Sequence, residues 1–320
     1  MTRTPQAGPR AEMALSLSNP ACSEPEPRTT VNLADGPGSA AAAAADGPLI
    51  GLAAGDKAVS LGPAAGHTLA VAWPGMGSTT LLRSLGAQFA ARGLRIDILD
   101  TQHQHTWAHD LDQVTVFEDA DRIHRHLYRL ADEVRDGTAA GPRVVLIEST
   151  PTTDELLKFR YHPRPGGLGL DALTTVLAGG QLVGIRVVMA CRDVPEPFGH
   201  VVRDLFTTRL LAHPTPRTWH LAGRLPSQPL PLSSAGLPGR LHQITATGTT
   251  ALQAAYLSDG DARTLAQHPC GQGGKPTRKT GRTRRSTQAG AAPSSFRLTG
   301  SDAHAPRWTP TGSTNEENHG

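Results

Sequence analysis

The chain has little cysteine. Cys22, Cys191 and Cys270 are odd in number and widely spaced, which excludes a disulfide framework or a zinc ribbon and fits a reducing compartment. Long apolar runs are missing too. No stretch approaches the roughly 20 apolar residues of a membrane span, and the first residues lack the apolar core of a signal peptide. A cytoplasmic location is therefore expected. Both ends lack helical or strand periodicity: residues 1–45 are rich in Pro, Gly, Ser and Ala, with an alanine run at Ala40–Ala45, and 268–320 look similar. Such segments bury too little apolar area to offset the entropy of ordering. The expected organisation is a disordered tail over 1–45, one folded core over 46–267, and a disordered basic tail over 268–320.

Charge is unevenly placed. Residues 268–320 hold eight Lys/Arg against Asp302, Glu316 and Glu317, a net +5, whereas 1–45 carry −1 and the core −1. The basic character thus belongs to the run Lys275-Pro-Thr-Arg-Lys-Thr-Gly-Arg-Thr-Arg-Arg285. That run either attracts nucleic acid or an acidic partner in a salt-sensitive way, or only keeps the chain in solution.

The most consequential absence is a single lysine. His67-Thr-Leu-Ala-Val-Ala-Trp-Pro-Gly-Met-Gly-Ser-Thr-Thr80 is an apolar strand entering a glycine turn and then a helix, the layout of a phosphate-binding P-loop. On the template G-x-x-x-x-G-K-S/T, Ala72 takes the first glycine position and Gly77 the second. Ser78 then stands at the lysine position, and Thr79 is the hydroxyl that would hold Mg²⁺. Backbone N–H groups over Gly75, Met76, Gly77, Ser78, Thr79 and Thr80, with the helix N-terminus behind them, attract phosphate without any side chain. Bulky Trp73 and Met76 would crowd such a turn. A plainer alternative is that Ser78 or Thr79 caps the helix and nothing binds.

The rest of the core reads as alternating strands and helices. Pro48–Leu52 and Lys57–Leu61 form an expected hairpin, and Leu81, Leu82, Leu85 and Phe89 recur at helical spacing up to Gly93. Leu94–Asp100 and Gln113–Phe117 read as strands, followed by an amphipathic helix on Ile123, Leu127, Leu130 and Val134 that ends near Gly137. Arg143–Glu148 and Ile185–Arg192 are continuous apolar strands of the kind buried in parallel sheets. A helix over Leu170–Ala178 separates them, and Leu205–His213 and Arg240–Tyr256 supply further strands, with a hairpin around Thr247–Thr250. The architecture expected is α/β with a mainly parallel sheet, its ligand edge at the strand C-termini. Gly75–Thr79, Asp100, Glu148 and Arg192 would all fall there.

In that order, residues 48–266 resemble the FtsK/SpoIIIE family of DNA-pumping ATPases, in the form found in actinobacterial plasmid transfer. His67–Thr80 is similar to the family's strand and P-loop. Asp100-Thr101-Gln102 stands at the Asp-Pro-Lys-like triplet, and Glu148-Ser149 at the Asp-Glu of the Walker B strand. Gly180-Gln-Leu-Val-Gly-Ile185 resembles the segment whose arginine acts across a subunit interface, and Ala190-Cys191-Arg192 the Ala-Thr-Gln sensor. Leu237-Pro-Gly-Arg240 and Gln253-Ala-Ala-Tyr256 resemble the closing strands.

The resemblance implies a RecA-like P-loop NTPase domain that uses ATP and Mg²⁺, with Thr79 and Glu148 holding the metal. Its departures fall on chemistry, at Ser78, Ser149, Gln181 and Arg192. Phosphoryl transfer depends on positioned cations and a water-orienting group, so efficient hydrolysis is not expected. Glu148 and Arg192 are the remaining catalytic candidates; Arg192 either replaces the missing lysine charge or pairs with Asp193 or Glu196. His103, His105 and His109 lie in a loop without ligand spacing and read as a polar surface loop rather than a metal site. Lys158, Arg160, His162 and Arg164 either touch DNA phosphates or form a solvated excursion. Three functions follow: a weakly or non-hydrolysing member of a DNA-transfer assembly, in a homo- or hetero-oligomer with an active FtsK-like motor; an active translocase with rearranged catalytic groups; or a nucleotide-free module that binds DNA or a partner through its basic tail.

Overall fold

The computed structural model describes residues 26–138, 141–158, 169–223 and 237–268. Arg160, His162, Arg164 and the basic run 275–285 lie outside them. Among the described residues the strands are β1 (Val31–Asn32), β2 (Leu49–Ala53), β3 (Ala58–Ser60), β4 (Thr68–Ala72), β5 (Arg95–Leu99), β6 (Val114–Phe117), β7 (Arg143–Ile147), β8 (Ile185–Cys191), β9 (Thr208–Ala212), β10 (Arg240–Thr245) and β11 (Gly248–Tyr256). The helices are α1 (Gly36–Ala44), α2 (Ser78–Ala91), α3 (Ala120–Asp136), α4 (Thr150–Lys158), α5 (Gly169–Gly179), α6 (Val202–Leu205), α7 (Pro216–Thr218) and α8 (Asp259–Gln267). No described helix is long and apolar enough to cross a membrane.

The strands make one sheet in the order β3-β2-β11-β10-β9-β4-β8-β7-β5-β6. From β9 to β6 every neighbour is parallel, and from β9 back to β3 every neighbour is antiparallel. The parallel strands β4, β7 and β9 are buried along their whole length, polar Thr68, Arg143, Thr208 and Arg209 included, as expected where helices cover both faces. One face packs Ala70, Ile98, Leu146 and Val188 against Leu82, Leu85 and Phe89 of α2. The other packs Leu69, Val145, Val187 and Leu211 against Leu127 and Leu130 of α3 and Leu173 and Val176 of α5. The α3 stripe read from the sequence is therefore its buried face. Asp119 caps α3 by accepting the Arg122 N–H at 2.9 Å, and Gly137 closes it in the left-handed region. Both expected hairpins form, the second turning at Ala246–Thr247, where the Thr247–Thr250 stretch begins.

The amino-terminal expectation needs correction. Residues 31–45 are not a structureless tail: Val31 and Asn32 pair in parallel with Ala255 and Tyr256, and α1 follows. Arg240 anchors this segment by donating to the carbonyls of Pro27 and Arg28 at 3.0 and 3.2 Å. The alanine run that breaks periodicity in the sequence is the body of α1, consistent with alanine's high helix propensity.

Candidate functional site

The site lies at the carboxyl edge of the parallel strands. Registers such as Val71 with Cys191 and Leu99 with Ile147 bring the ends of β4, β8, β5 and β7 into line. β4 leads through Trp73–Gly77 into α2. Gly75 and Gly77 carry φ of 82° and 94°, a region costly for any residue with a Cβ, so the turn needs glycine at both. The first intrahelical bond of α2 runs from the Leu81 N–H to the Gly77 carbonyl at 2.9 Å. The N–H groups of Ser78, Thr79 and Thr80 consequently have no intrahelical partner. From the other side the Gly239 N–H donates to the Met76 carbonyl at 2.9 Å and braces the turn.

Neither Ser78 nor Thr79 caps α2, because Gly77 is the cap residue and no side-chain cap bond forms. Thr79 Oγ1 instead donates to Glu148 Oε1 at 2.7 Å. Glu148 Oε2 in turn lies 2.7 Å from His105 Nε2, with both side chains buried. His105 Nδ1 accepts the Trp107 indole N–H at 3.0 Å. His105 thus corrects the surface-loop expectation, being 0% exposed. Its loop is curled by Asp100, whose carboxylate accepts the backbone N–H groups of Gln102, Gln104 and His105. His103 and His109 behave differently and both approach Glu118 Oε1, at 3.1 and 3.3 Å. No group of three metal-ligating side chains occurs among the described residues.

A cleft of about 410 Å³ opens beside these groups, lined by Gly75, Ser78, Thr79, Glu148, Ser149 and Arg192 among others. Trp73 and Met76 do not line it. Met76 packs against the core, and Trp73 turns outward, 41% exposed, so the expected crowding of the turn does not arise. The Arg192 guanidinium sits over the Trp73 ring at 4.9 Å from its centroid. Asp193 is taken instead by Arg217 at 3.0 Å and the Thr218 hydroxyl at 2.6 Å, so Arg192 does not make the ion pair considered from the sequence. Among the described residues Arg192 is the one cation on the cleft wall and Glu148 the one anion. Ser149 takes a φ of 34°, uncommon for a residue with a side chain, at the sharp turn from β7 into α4. Cys191 also lines the cleft, but burial pushes its thiol far above the usual range and leaves it unreactive.

Three further sequence-predicted residues fall elsewhere. Gln181 lies at the amino edge of the sheet, in another cavity beside Pro63 and Arg186. Gly77 and Thr80 line a third cavity of about 340 Å³, with Thr29, Thr30, Val31, Gly239 and Tyr256, which shares Gly75 with the first cleft. The P-loop-like turn is therefore a saddle between two cavities. His105, Trp107 and the 29–31 segment were not legible as site residues in the sequence.

As a donor set, Thr79 and Glu148 fit a hard cation that takes one hydroxyl or carboxylate from protein and completes its shell with water and phosphate, as Mg²⁺ does. With its proton on Glu148, the Thr79 hydroxyl keeps lone pairs for a metal. The anion-binding part is short of charge, since Ser78 contributes a hydroxyl where a cation is needed.

A strand, a glycine turn with φ above zero, and a helix whose threonine meets a carboxylate at the end of a parallel strand one place removed, with β8 between the two, define a P-loop α/β protein of RecA type. No family model matches the sequence, and no curated protein matches it. Solved structures do match. The conjugation coupling protein TcpA of pCW3, determined with ATPγS, gives a TM-score of 0.56 at 12% identity over 76% of this chain and 75% of that one. The cytoplasmic domain of the type VII secretion ATPase EccC from Thermomonospora curvata gives 0.55 at 15% identity, over 72% of this chain but only 28% of EccC. A protein described only as an ATPase gives 0.55 at 14% identity, over 72% of this chain and 96% of that one. The chain has the FtsK-type P-loop ATPase fold found in plasmid-transfer and secretion proteins.

Proposed function

We propose that this chain binds a Mg²⁺–nucleoside triphosphate at the β4–α2 turn and hydrolyses it slowly or not at all, as a cytoplasmic component of a DNA-transfer assembly. The observation that carries this reading is the 2.7 Å bond from Thr79 to Glu148 beside an open cleft, the pairing a metal-bound triphosphate needs. Backbone N–H groups at the start of α2 hold phosphate, Thr79 and Glu148 hold the metal, and Arg192 supplies the cation that Ser78 does not. The neighbouring cavity, with the Tyr256 ring and the edge of β1 on its wall, accommodates the nucleoside. Glu148 has both oxygens engaged by protein donors and Ser149 carries no carboxylate, so among the described residues no carboxylate on the cleft wall is free to take a proton from an attacking water. That supports holding over turnover. DNA would be reached through the basic run 275–285 or through an active motor in a shared ring.

Calorimetry of the full chain with Mg-ATPγS tests this. Weak binding is expected, with a Kd of about 0.1–1 mM. Ser78→Lys should tighten it at least about tenfold, roughly 1.4 kcal/mol, and Thr79→Ala should abolish its dependence on Mg²⁺. No binding by the unmodified chain, with binding gained only in the lysine variant, would mark a vacant P-loop and sink the proposal.

A further inference from the structure

We propose that His105 is a positioning residue that locks Glu148 onto the Thr79 hydroxyl and so sets the magnesium affinity of the site. The inference rests on the nucleotide reading above. His105 reaches inward from the loop after β5 because Asp100 gathers three backbone N–H groups of that loop, the one from His105 at 3.1 Å. Trp107 donates its indole N–H to Nδ1 at 3.0 Å, and an indole nitrogen can only donate. Nδ1 is therefore the acceptor and the ring proton sits on Nε2, which donates to Glu148 Oε2 at 2.7 Å. The tautomer follows from this chain of bonds.

The consequence is geometric. Glu148 accepts from Thr79 on one oxygen and from His105 on the other, and the His105 and Glu148 side chains are 0% and 1% exposed. A carboxylate held by a donor at each oxygen, with its side chain 1% exposed, does not rotate. Oε1 stays fixed to accept the hydrogen bond from the Thr79 hydroxyl, which turns that hydroxyl's lone pairs to the cleft, where a cation binds. Without His105, Oε2 loses its partner, the carboxylate gains a rotation, and the preformed half of the metal site becomes one of several arrangements. Partners of this outer kind typically alter metal affinity by about 10–100-fold when removed.

The test combines two variants with two readouts. In the full chain, His105→Phe should raise the Mg²⁺ concentration for half-maximal ATPγS binding about tenfold or more, with Mg²⁺-free nucleotide binding unchanged. His105→Gln, which keeps an amide N–H donor, should recover part of that loss. Where the phenylalanine variant does not fold, Trp107→Phe replaces it. That change removes the donor that fixes the tautomer and should produce a smaller loss in the same direction. Nitrogen-15 NMR of the unmodified chain should show the His105 ring, assigned by its loss in His105→Gln, in the Nε2–H form, with a resonance that moves in Glu148→Gln. An unchanged Mg²⁺ dependence in His105→Phe, or an Nδ1–H ring at His105, overturns the positioning role while leaving nucleotide binding intact. Absence of Mg²⁺-dependent nucleotide binding in the unmodified chain overturns both.

Discussion

The two ends of the parallel strands carry cavities of nearly equal size, one balanced in charge and one basic. At the carboxyl edge the cleft of about 410 Å³ has, among the described residues, one cation, Arg192, and one anion, Glu148. At the amino edge a cavity of about 450 Å³ is lined by Arg92, Arg143 and Arg186, with Asp46 as the acid on its wall. By charge alone the amino edge looks like the better anion site. The hydrogen bonds say otherwise. Arg143 is spent on Asp97 at 3.4 Å and Glu133 at 3.5 Å, while Arg92 donates to the Gln88 and Gly47 carbonyls. Arg186 lies over the Phe89 ring and donates to the Pro63 carbonyl. Those guanidinium groups hold the fold together, whereas the donors at the carboxyl edge face an open cleft. A cavity's worth to a ligand depends on which of its polar groups are still uncommitted.

The largest effect should come from breaking the amino edge. Arg143→Met leaves Asp97, 4% exposed, with only His126 at 2.9 Å as a partner. Removing one member of a buried ion pair costs about 3–5 kcal/mol, so urea unfolding should show a loss of that order. Nucleotide binding at the carboxyl edge, measured under conditions where the variant is folded, should not change. A comparable loss of affinity would show that the two ends are not separate.

Acid should act next, again through the fold rather than the cleft. Burial pushes the His67 imidazole down to about 4, with its Nδ1 accepting the Val187 N–H at 2.9 Å at the amino end of β4. His124, on the buried face of α3, is pushed down to about 4 by the same cause. The unfolded chain takes up protons near pH 6.5 that the folded one refuses until about pH 4. Their contribution is therefore complete above pH 6.5 and is lost as pH falls through that window. The His67 shift corresponds to about 3 kcal/mol. Thermal unfolding followed between pH 7 and 4 should fall accordingly, and His67→Gln should flatten the slope.

How much of this was legible in the sequence divides along similar lines. Strands β4, β7 and β8 and helices α2 and α3 follow from unbroken apolar runs and from a 3.6-residue stripe, because burial on two faces or one leaves that signature. The glycine turn and Glu148 were readable for the same reason, being short-range patterns at strand ends. What was missed depends on contacts distant in sequence. β1 is two residues long and exists only because it pairs with β11, and α4 begins Thr-Pro-Thr-Thr, which reads as a turn. His105 looked like one of three loop histidines. Its partner Glu148 lies 43 positions away, and no local spacing separates it from His103 and His109, which stay near the surface with Glu118. The one local hint was Trp107 two residues on, an indole needing an acceptor once buried.

The smallest effect is also the sharpest test of the contrast between the two edges, since it sets one arginine against another. Arg192 lies on the cleft wall over Trp73, and no ion pair would have to break for it to reach a phosphate. Arg186 sits at the amino edge, where burial lowers its tendency to hold a proton and a backbone carbonyl already occupies it. Arg192→Ala should weaken Mg-ATPγS binding about five- to tenfold, roughly 1–1.4 kcal/mol, the scale of one charge-assisted hydrogen bond. Arg186→Ala should leave it unchanged. Trp73 gives an independent signal, because a guanidinium drawn from its ring toward phosphate alters the indole's surroundings, so its fluorescence should respond to nucleotide in the unmodified chain and not in Arg192→Ala. The reverse pattern, with affinity lost in Arg186→Ala and kept in Arg192→Ala, would move the anion site to the opposite end of the sheet.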